Sequence, residues 1–188
     1  MLIRKIVLLL YFCPAILFAQ KSAMQIGTEI GIPNGNLKNG ANTGFGGMLR
    51  LEVPINKHLS FISTLDYISF AKKEYSSSTP TGTRSLSFKI SMLPVQIGGK
   101  FYLFSINKIQ KGLYVSGELG VQVLTGTVQV NGINESPPNE TDFSYAPGIG
   151  YRSTHWDLSY RQQFATSNGY SGNYSGFRLA YIFQKNYP

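Results

Sequence analysis

From Ala23 to Phe183 the chain is a succession of strand-length runs in which every second residue is aliphatic or aromatic. The residues between are glycine, alanine, hydroxyl-bearing or charged. In the last run Phe177, Leu179, Tyr181 and Phe183 alternate with Arg178, Ala180 and Ile182. Strand side chains point to opposite faces with period two, so each run carries one apolar wall and one small or polar wall. Eight strands are readable: Ala23 to Ile32, Thr43 to Val53, a third from Leu59, a fourth from Leu86 to Phe101, a fifth from Leu113, a sixth from Phe143, a seventh from Trp156 and the eighth ending at Phe183. The fourth is the least regular. Leu86, Phe88, Ile90 and Met92 share one parity, while Val95, Ile97 and Phe101 take the other, with Pro94 at the change. Proline cannot donate a ladder hydrogen bond, so the pattern predicts a β-bulge near Leu93-Pro94.

The connections alternate between longer ones (33–42, 72–84, 128–141, 167–175) and shorter ones (54–58, 105–112, 153–155). That alternation predicts an all-β fold, an eight-stranded antiparallel up-and-down transmembrane β-barrel with long loops outside and short turns in the periplasm. The rival is a soluble exported barrel that carries a ligand in an apolar cavity, which would turn the same walls inside out. Glycine and charge discriminate. Gly27, Gly31, Gly46, Gly98, Gly120, Gly148 and Gly150 share a wall with Glu29, Arg50, Glu52, Asp66, Lys100, Glu118, Arg152, Asp157, Arg161 and Arg178. An eight-stranded lumen is just wide enough for side chains to fill, which suits small residues beside a few long charged ones. Tyr67, Tyr145, Tyr151, Tyr160, Tyr181 and Trp156 sit on the apolar wall near strand ends, where membrane barrels place interfacial girdles.

The start of the chain adds a compartment. Arg4 and Lys5 precede an apolar stretch from Ile6 to Phe18, and Ala19 offers a small residue before Gln20. Residues 1–19 therefore read as a signal peptide and 20–188 as one barrel domain. The single cysteine, Cys13, lies in the segment to be removed. An exported chain without disulfides must draw its stability from the fold itself. Of 17 basic and 9 acidic residues, Arg4 and Lys5 leave with the leader, so the formal charge drops from +8 to +6. The surplus is scattered, with only Lys72-Lys73 adjacent in the remainder, so no basic stripe for nucleic acid is present.

Two strand sequences, Leu59-Ser60-Phe61-Ile62-Ser63-Thr64-Leu65-Asp66-Tyr67 and Trp156-Asp157-Leu158-Ser159-Tyr160-Arg161, and the ending Tyr174-x-Gly176-x-x-Leu179-x-Tyr181-x-Phe183 carry a family likeness. The chain resembles the small eight-stranded outer-membrane β-barrels of Gram-negative bacteria, in particular the outer membrane protein beta-barrel domain, PorT-like group. That resemblance implies outer-membrane lipid and lipopolysaccharide as surroundings, the barrel-assembly machinery as a partner during insertion, and a structural or surface-interaction role. Most such chains end on the aromatic residue, whereas Gln184 to Pro188 follow it here.

Candidate chemistry is sparse. Lipid-modifying barrel enzymes of eight strands use a His-x-Ser pair with a carboxylate, and His58-Leu59-Ser60 has that form. The strand pattern, however, turns Leu59 to lipid and His58 and Ser60 to the lumen at the periplasmic rim, away from outer-leaflet lipid, so no catalytic residue is assigned. His155 sits in a turn, leaving no histidine-based metal site, and no cofactor is expected. The glycine-rich run from Thr43 to Gly47 precedes no helix, so it cradles no phosphate. Asn134, Asn139 and Asn173 begin chance glycosylation triplets. Lys72, Lys73 and Arg84 bracket the second long connection, where either lipopolysaccharide phosphates or water would meet them.

The charged wall either lines a pore or plugs it. Glu29, Glu52, Asp66, Glu118 and Asp157 nearly balance Arg50, Lys100, Arg152, Arg161 and Arg178, with Lys89 as an additional lumen candidate. Charges in a low-dielectric interior persist when paired, so the balance predicts a closed ion-pair network, structural in role. The expected pairs are Glu29 with Arg178, Arg152 with Asp157, and Glu118 with Lys100 or Arg161. A filled lumen leaves the four longer connections as the places for recognition of a surface protein or glycan partner.

Overall fold

The computed structural model describes residues 22–79, 82–103, 110–130, 133–135, 139–166 and 172–184. The elements in chain order are β1 (Ala23–Pro33), α1 (Leu37–Gly40), β2 (Ala41–Pro54), β3 (Leu59–Thr79), β4 (Gly82–Tyr102), β5 (Gly112–Val130), β6 (Ile133–Glu135), β7 (Glu140–Arg152), β8 (Trp156–Thr166) and β9 (Tyr174–Gln184). The pairings β1–β2, β2–β3, β3–β4, β4–β5, β5–β7, β7–β8 and β8–β9 are all antiparallel. The ring closes between β1 and β9, from Ala23↔Gln184 to Pro33↔Tyr174. Closure removes the sheet edge, which is what lets strands cross lipid with every backbone group paired. β6 stands outside this ring as a short addition to the end of β5, from Val128↔Glu135 to Val130↔Ile133.

The walls face as the glycine and charge argument requires. On β1, Met24, Ile26, Ile30 and Ile32 are exposed, while Gln25 and Glu29 are buried. The apolar wall is outside and the charged wall inside, the reverse of a soluble ligand carrier. Trp156 meets Tyr181 edge-on at 5.3 Å and Tyr181 meets Phe183 at 4.8 Å, an aromatic cluster on the outer wall at the end carrying the short turns.

Two predictions about β3, β4 and β5 need correction. The stretches 72–84 and 128–141 are not simply loops. β3 and β4 run for 21 residues each and β5 for 19, roughly twice the 9–11 that cross a bilayer. The β3–β4 ladder continues to Thr79↔Gly82 and the β4–β5 ladder to Leu86↔Val130, so a small sheet stands above the rim. The bulge, too, is not at Leu93-Pro94. β4 pairs with β5 in unbroken register from Leu86 to Tyr102, and the irregularities lie between Phe70 and Lys73 on β3 and between Ala41 and Gly44 on β2. From Met92 to Tyr102 the inward parity of β4 does not change: Met92, Pro94, Gln96, Lys100 and Tyr102 are all buried. What changes along it is the content of the lumen, apolar at the outer end and charged below.

That outer end is a small hydrophobic core of Leu37, Ala41, Ile68, Phe70, Met92 and Tyr174, with Ile90 and Leu124 packed against it. Leu37 comes from α1, so the first long connection folds down over the mouth instead of standing free. Phe70 and Tyr174 meet edge-on at 5.6 Å. At two places along the β4–β5 ladder only glycine fits. A Cβ on Gly98 would lie 2.0 Å from the Gly117 carbonyl oxygen, and one on Gly120 would lie 2.1 Å from that of Val95.

Candidate functional site

Among the described residues, the charged side chains on the inner wall form the one dense constellation of titratable groups. Glu29, Arg50, Glu52, Asp66, Lys100, Glu118, Arg152, Asp157, Arg161 and Arg178 are each at most 3% exposed. Period-two alternation on eight different strands aims them at a common axis.

Their ion pairs fall into two sets. Nearer the periplasmic turns, Lys100 Nζ lies 2.6 Å from Asp157 Oδ2 and 3.1 Å from Glu52 Oε2, and Arg152 Nη1 lies 2.7 Å from Glu52 Oε1. The hydroxyls of Tyr102 and Tyr114 donate to Glu52 and Asp157, both at 2.6 Å, and Gln25 donates to Glu52 at 2.7 Å. In the middle of the barrel, Arg178 lies 2.6 Å from Asp66, 3.0 Å from Glu118 and 3.3 Å from Glu29. Arg161 lies 2.8 Å from Glu29 and 3.1 Å from Asp66, and Arg50 lies 2.9 Å from Glu118. The first set has two acids and two bases, the second three of each, so each is neutral by itself. Several pairs reach across the lumen: β7 Arg152 to β2 Glu52, and β8 Arg161 to β3 Asp66, each join walls four strands apart in the ring.

These partners differ in part from the expected ones. Glu29 does meet Arg178. Arg152 and Asp157 are opposite in the β7–β8 register, but Glu52 binds Arg152 while Lys100 and Tyr114 hold Asp157. Glu118 is taken by Arg50 and Arg178, not by Lys100 or Arg161. Lys89 is exposed on the outer wall and is not part of the lumen.

Neutral polar residues that no charge pattern singles out complete the filling. Gln96 accepts from Arg161 Nη1 at 2.9 Å and donates to Ser144 at 3.0 Å, Thr64 accepts from Arg50 Nε at 3.1 Å, and Tyr174 accepts from Arg161. Tyr174 lay in a stretch read as loop. At the periplasmic end Gln110 turns inward, donating to the carbonyls of Asn56 and Leu59 at 2.7 and 3.1 Å and accepting from Ser60 Oγ at 2.6 Å. At the mouth Gln163 donates to Gln122 at 3.1 Å. Buried glutamines on the small-residue wall were the available signal for this layer.

The His-x-Ser pair does not assemble as a nucleophile and base. Ser60 Oγ is spent on Gln110, and His58 Nδ1 lies 3.0 Å from the Tyr102 carbonyl oxygen, where it must carry the proton. Among the described residues, no group of three or more His, Cys, Asp or Glu is placed to hold a metal ion.

A closed ring, an apolar outer wall and a polar filled lumen describe a membrane-spanning barrel, and the sequence of the outer membrane protein beta-barrel domain family matches residues 6–183. The chain belongs to that family. It is an integral β-barrel protein of the Gram-negative outer membrane. No curated protein matches this outer-membrane barrel in sequence. Among solved structures it is similar to Ail, the attachment invasion locus protein of Yersinia pestis, at 15% identity and a TM-score of 0.55, over 86% of this chain and 97% of that one. The same protein in a phospholipid bilayer nanodisc gives 13% and 0.53, over 87% and 99%. Ail in complex with the heparin analogue sucrose octasulfate gives 15% and 0.54, over 86% and 97%. At such identities the likeness is one of fold.

Proposed function

We propose that this outer-membrane barrel is a sealed, non-catalytic scaffold whose specific contacts are made above the membrane. The observation that carries the reading is the filling of the lumen from end to end: Gln110 at the periplasmic side, two neutral ion-pair sets, then the apolar core capped by Leu37. A lumen so filled has no room for a substrate or a hydrated ion. The ten charged lumen residues are structural in this reading, struts between opposite walls.

Both ion-pair sets are neutral, so the whole basic surplus of the chain lies outside them. On the surface side, however, Lys38, Lys72, Lys73, Arg84 and Lys89 are nearly balanced by Glu74, Glu135, Glu140 and Asp142, so a surface glycan or protein partner is met there by hydrogen-bonding groups and not selected by net charge. Ail, a barrel of the same fold, has been crystallised with a heparin analogue. The outward-standing sheet of β3, β4 and β5 supplies a rigid platform for such contacts, with outer-membrane lipid around the barrel and the barrel-assembly machinery as the partner during insertion. The test is to replace residues 74–87 by a short Asn-Gly turn in the native host. Retained outer-membrane insertion with loss of the adhesion or partner phenotype of a deletion strain is the expected result. Full rescue by the shortened chain would place the function in the barrel body.

A further inference from the structure

The register breaks of β2 and β3 lie side by side. Between Ala41 and Gly44 on β2, and between Phe70 and Lys73 on β3, one strand carries one residue more than its partner. Such bulges bend the strand and re-aim side chains. Here they leave both Asn42 and Thr43, and both Ala71 and Lys72, exposed instead of alternating. Asn42 Nδ2 ties the two together by donating to the Lys72 carbonyl at 2.9 Å. Between them opens a groove of about 290 Å³ on the outer wall, lined by Thr43, Phe45, Ser69, Phe70, Ala71, Lys72 and Lys89.

The groove straddles the boundary of the lipid-facing band. Phe45 forms its lower end, and below it the outward residues are Leu65, Tyr67, Leu93 and Val95, all exposed and apolar or aromatic. At its level the outward residues become hydroxyls: Tyr67 Oη donates to Ser91 Oγ at 3.3 Å, and Ser91 donates to Ser69 at 3.2 Å. Immediately above stand Lys72 and Lys89, both exposed. Lys73 points elsewhere, donating to the Lys38 carbonyl at 2.8 Å. Among the described residues that line the groove none is acidic.

An apolar floor that gives way, within one strand step, to hydroxyls and two ammonium groups matches a lipid whose chains end at a phosphorylated headgroup. Lysine binds phosphate as a mobile point charge, and near a membrane surface each such residue adds to the attraction. We propose that this groove binds one outer-leaflet lipid through a headgroup phosphate held by Lys72 and Lys89, with an acyl chain lying over Phe45. The proposal is independent of the surface-recognition role of the sheet above.

Native mass spectrometry of the detergent-purified protein tests it, with bisphosphorylated lipid A and its dephosphorylated counterpart as probes. Wild-type protein should retain the phosphorylated lipid and release the other. The double change Lys72→Gln and Lys89→Gln should weaken retention by about tenfold or more, and Lys72→Arg with Lys89→Arg should preserve it. Lys57→Gln, on the exposed turn at the opposite rim, should change nothing. Equal retention of both lipids by wild-type protein would overturn the proposal without need of any variant. So would undiminished binding by the double glutamine chain, or complete displacement of the lipid by inorganic phosphate, which would mark an anion site indifferent to acyl chains.

Discussion

Arg178 is the residue on which the middle of the lumen converges, touching acids from β1, β3 and β5 at once. Removing it leaves Asp66 and Glu118 buried with a lost partner, and breaking a buried pair from one side costs about 3–5 kcal/mol. Arg178→Ala should therefore lower the urea midpoint of the refolded protein far more than Lys57→Ala, an exposed change expected to stay within about 0.5 kcal/mol. Equal midpoints would count against a strut role. A second contrast uses two glycines three residues apart. Gly120→Ala drives a methyl into the Val95 carbonyl, an overpacking that costs about 1–3 kcal/mol, or more if the strand cannot shift. Gly117→Ala meets nothing within 4 Å and should be neutral or slightly stabilising, as the same midpoint measurement will show. The identity of the charged lumen residues was legible because wall assignment needs only parity. Their partners were not, because a pair such as Arg152 and Glu52 crosses the barrel between distant strands, and strand tilt shifts height by amounts that local sequence does not encode.

At the scale of elements, the eight crossings and their order were legible because lipid demands alternation within the bilayer. Above the rim that demand ends. Glu74-Tyr75-Ser76-Ser77-Ser78-Thr79 shows no apolar period, yet it pairs with β4 through to Thr79↔Gly82. Strand structure there is carried by the ladder continuing from the membrane, and sequence alone reads it as a loop. Pro94 misled for a related reason: the apolar residues Ile90 and Met92 looked lipid-facing when they are inward and belong to the cap. Because the protruding hairpin hangs on a completed barrel, replacing 74–87 by a two-residue turn should leave heat-modifiable migration on gels unchanged. By contrast, Leu37→Asp places an unpaired charge in the apolar mouth and should destabilise by several kcal/mol, with Asn39→Asp on the same short helix serving as the mild control when the two melting temperatures are compared.

For the whole molecule, sealing from both ends predicts silence. Reconstituted in planar bilayers, the wild-type barrel should show no large stable conductance; steady openings in the nanosiemens range would contradict the filled lumen. The same neutrality depends on the strand that closes the ring. Glu29, Asp66 and Glu118 stand on β1, β3 and β5, and Arg50 and Arg161 on β2 and β8, so without Arg178 on β9 the middle set carries one negative charge over. β9 is also the strand that meets β1 and shuts the ring. One strand thus supplies both ring closure and charge balance. A chain bearing Arg178→Ala should close less firmly, which limited proteolysis of the membrane-inserted protein would read as greater sensitivity than wild type.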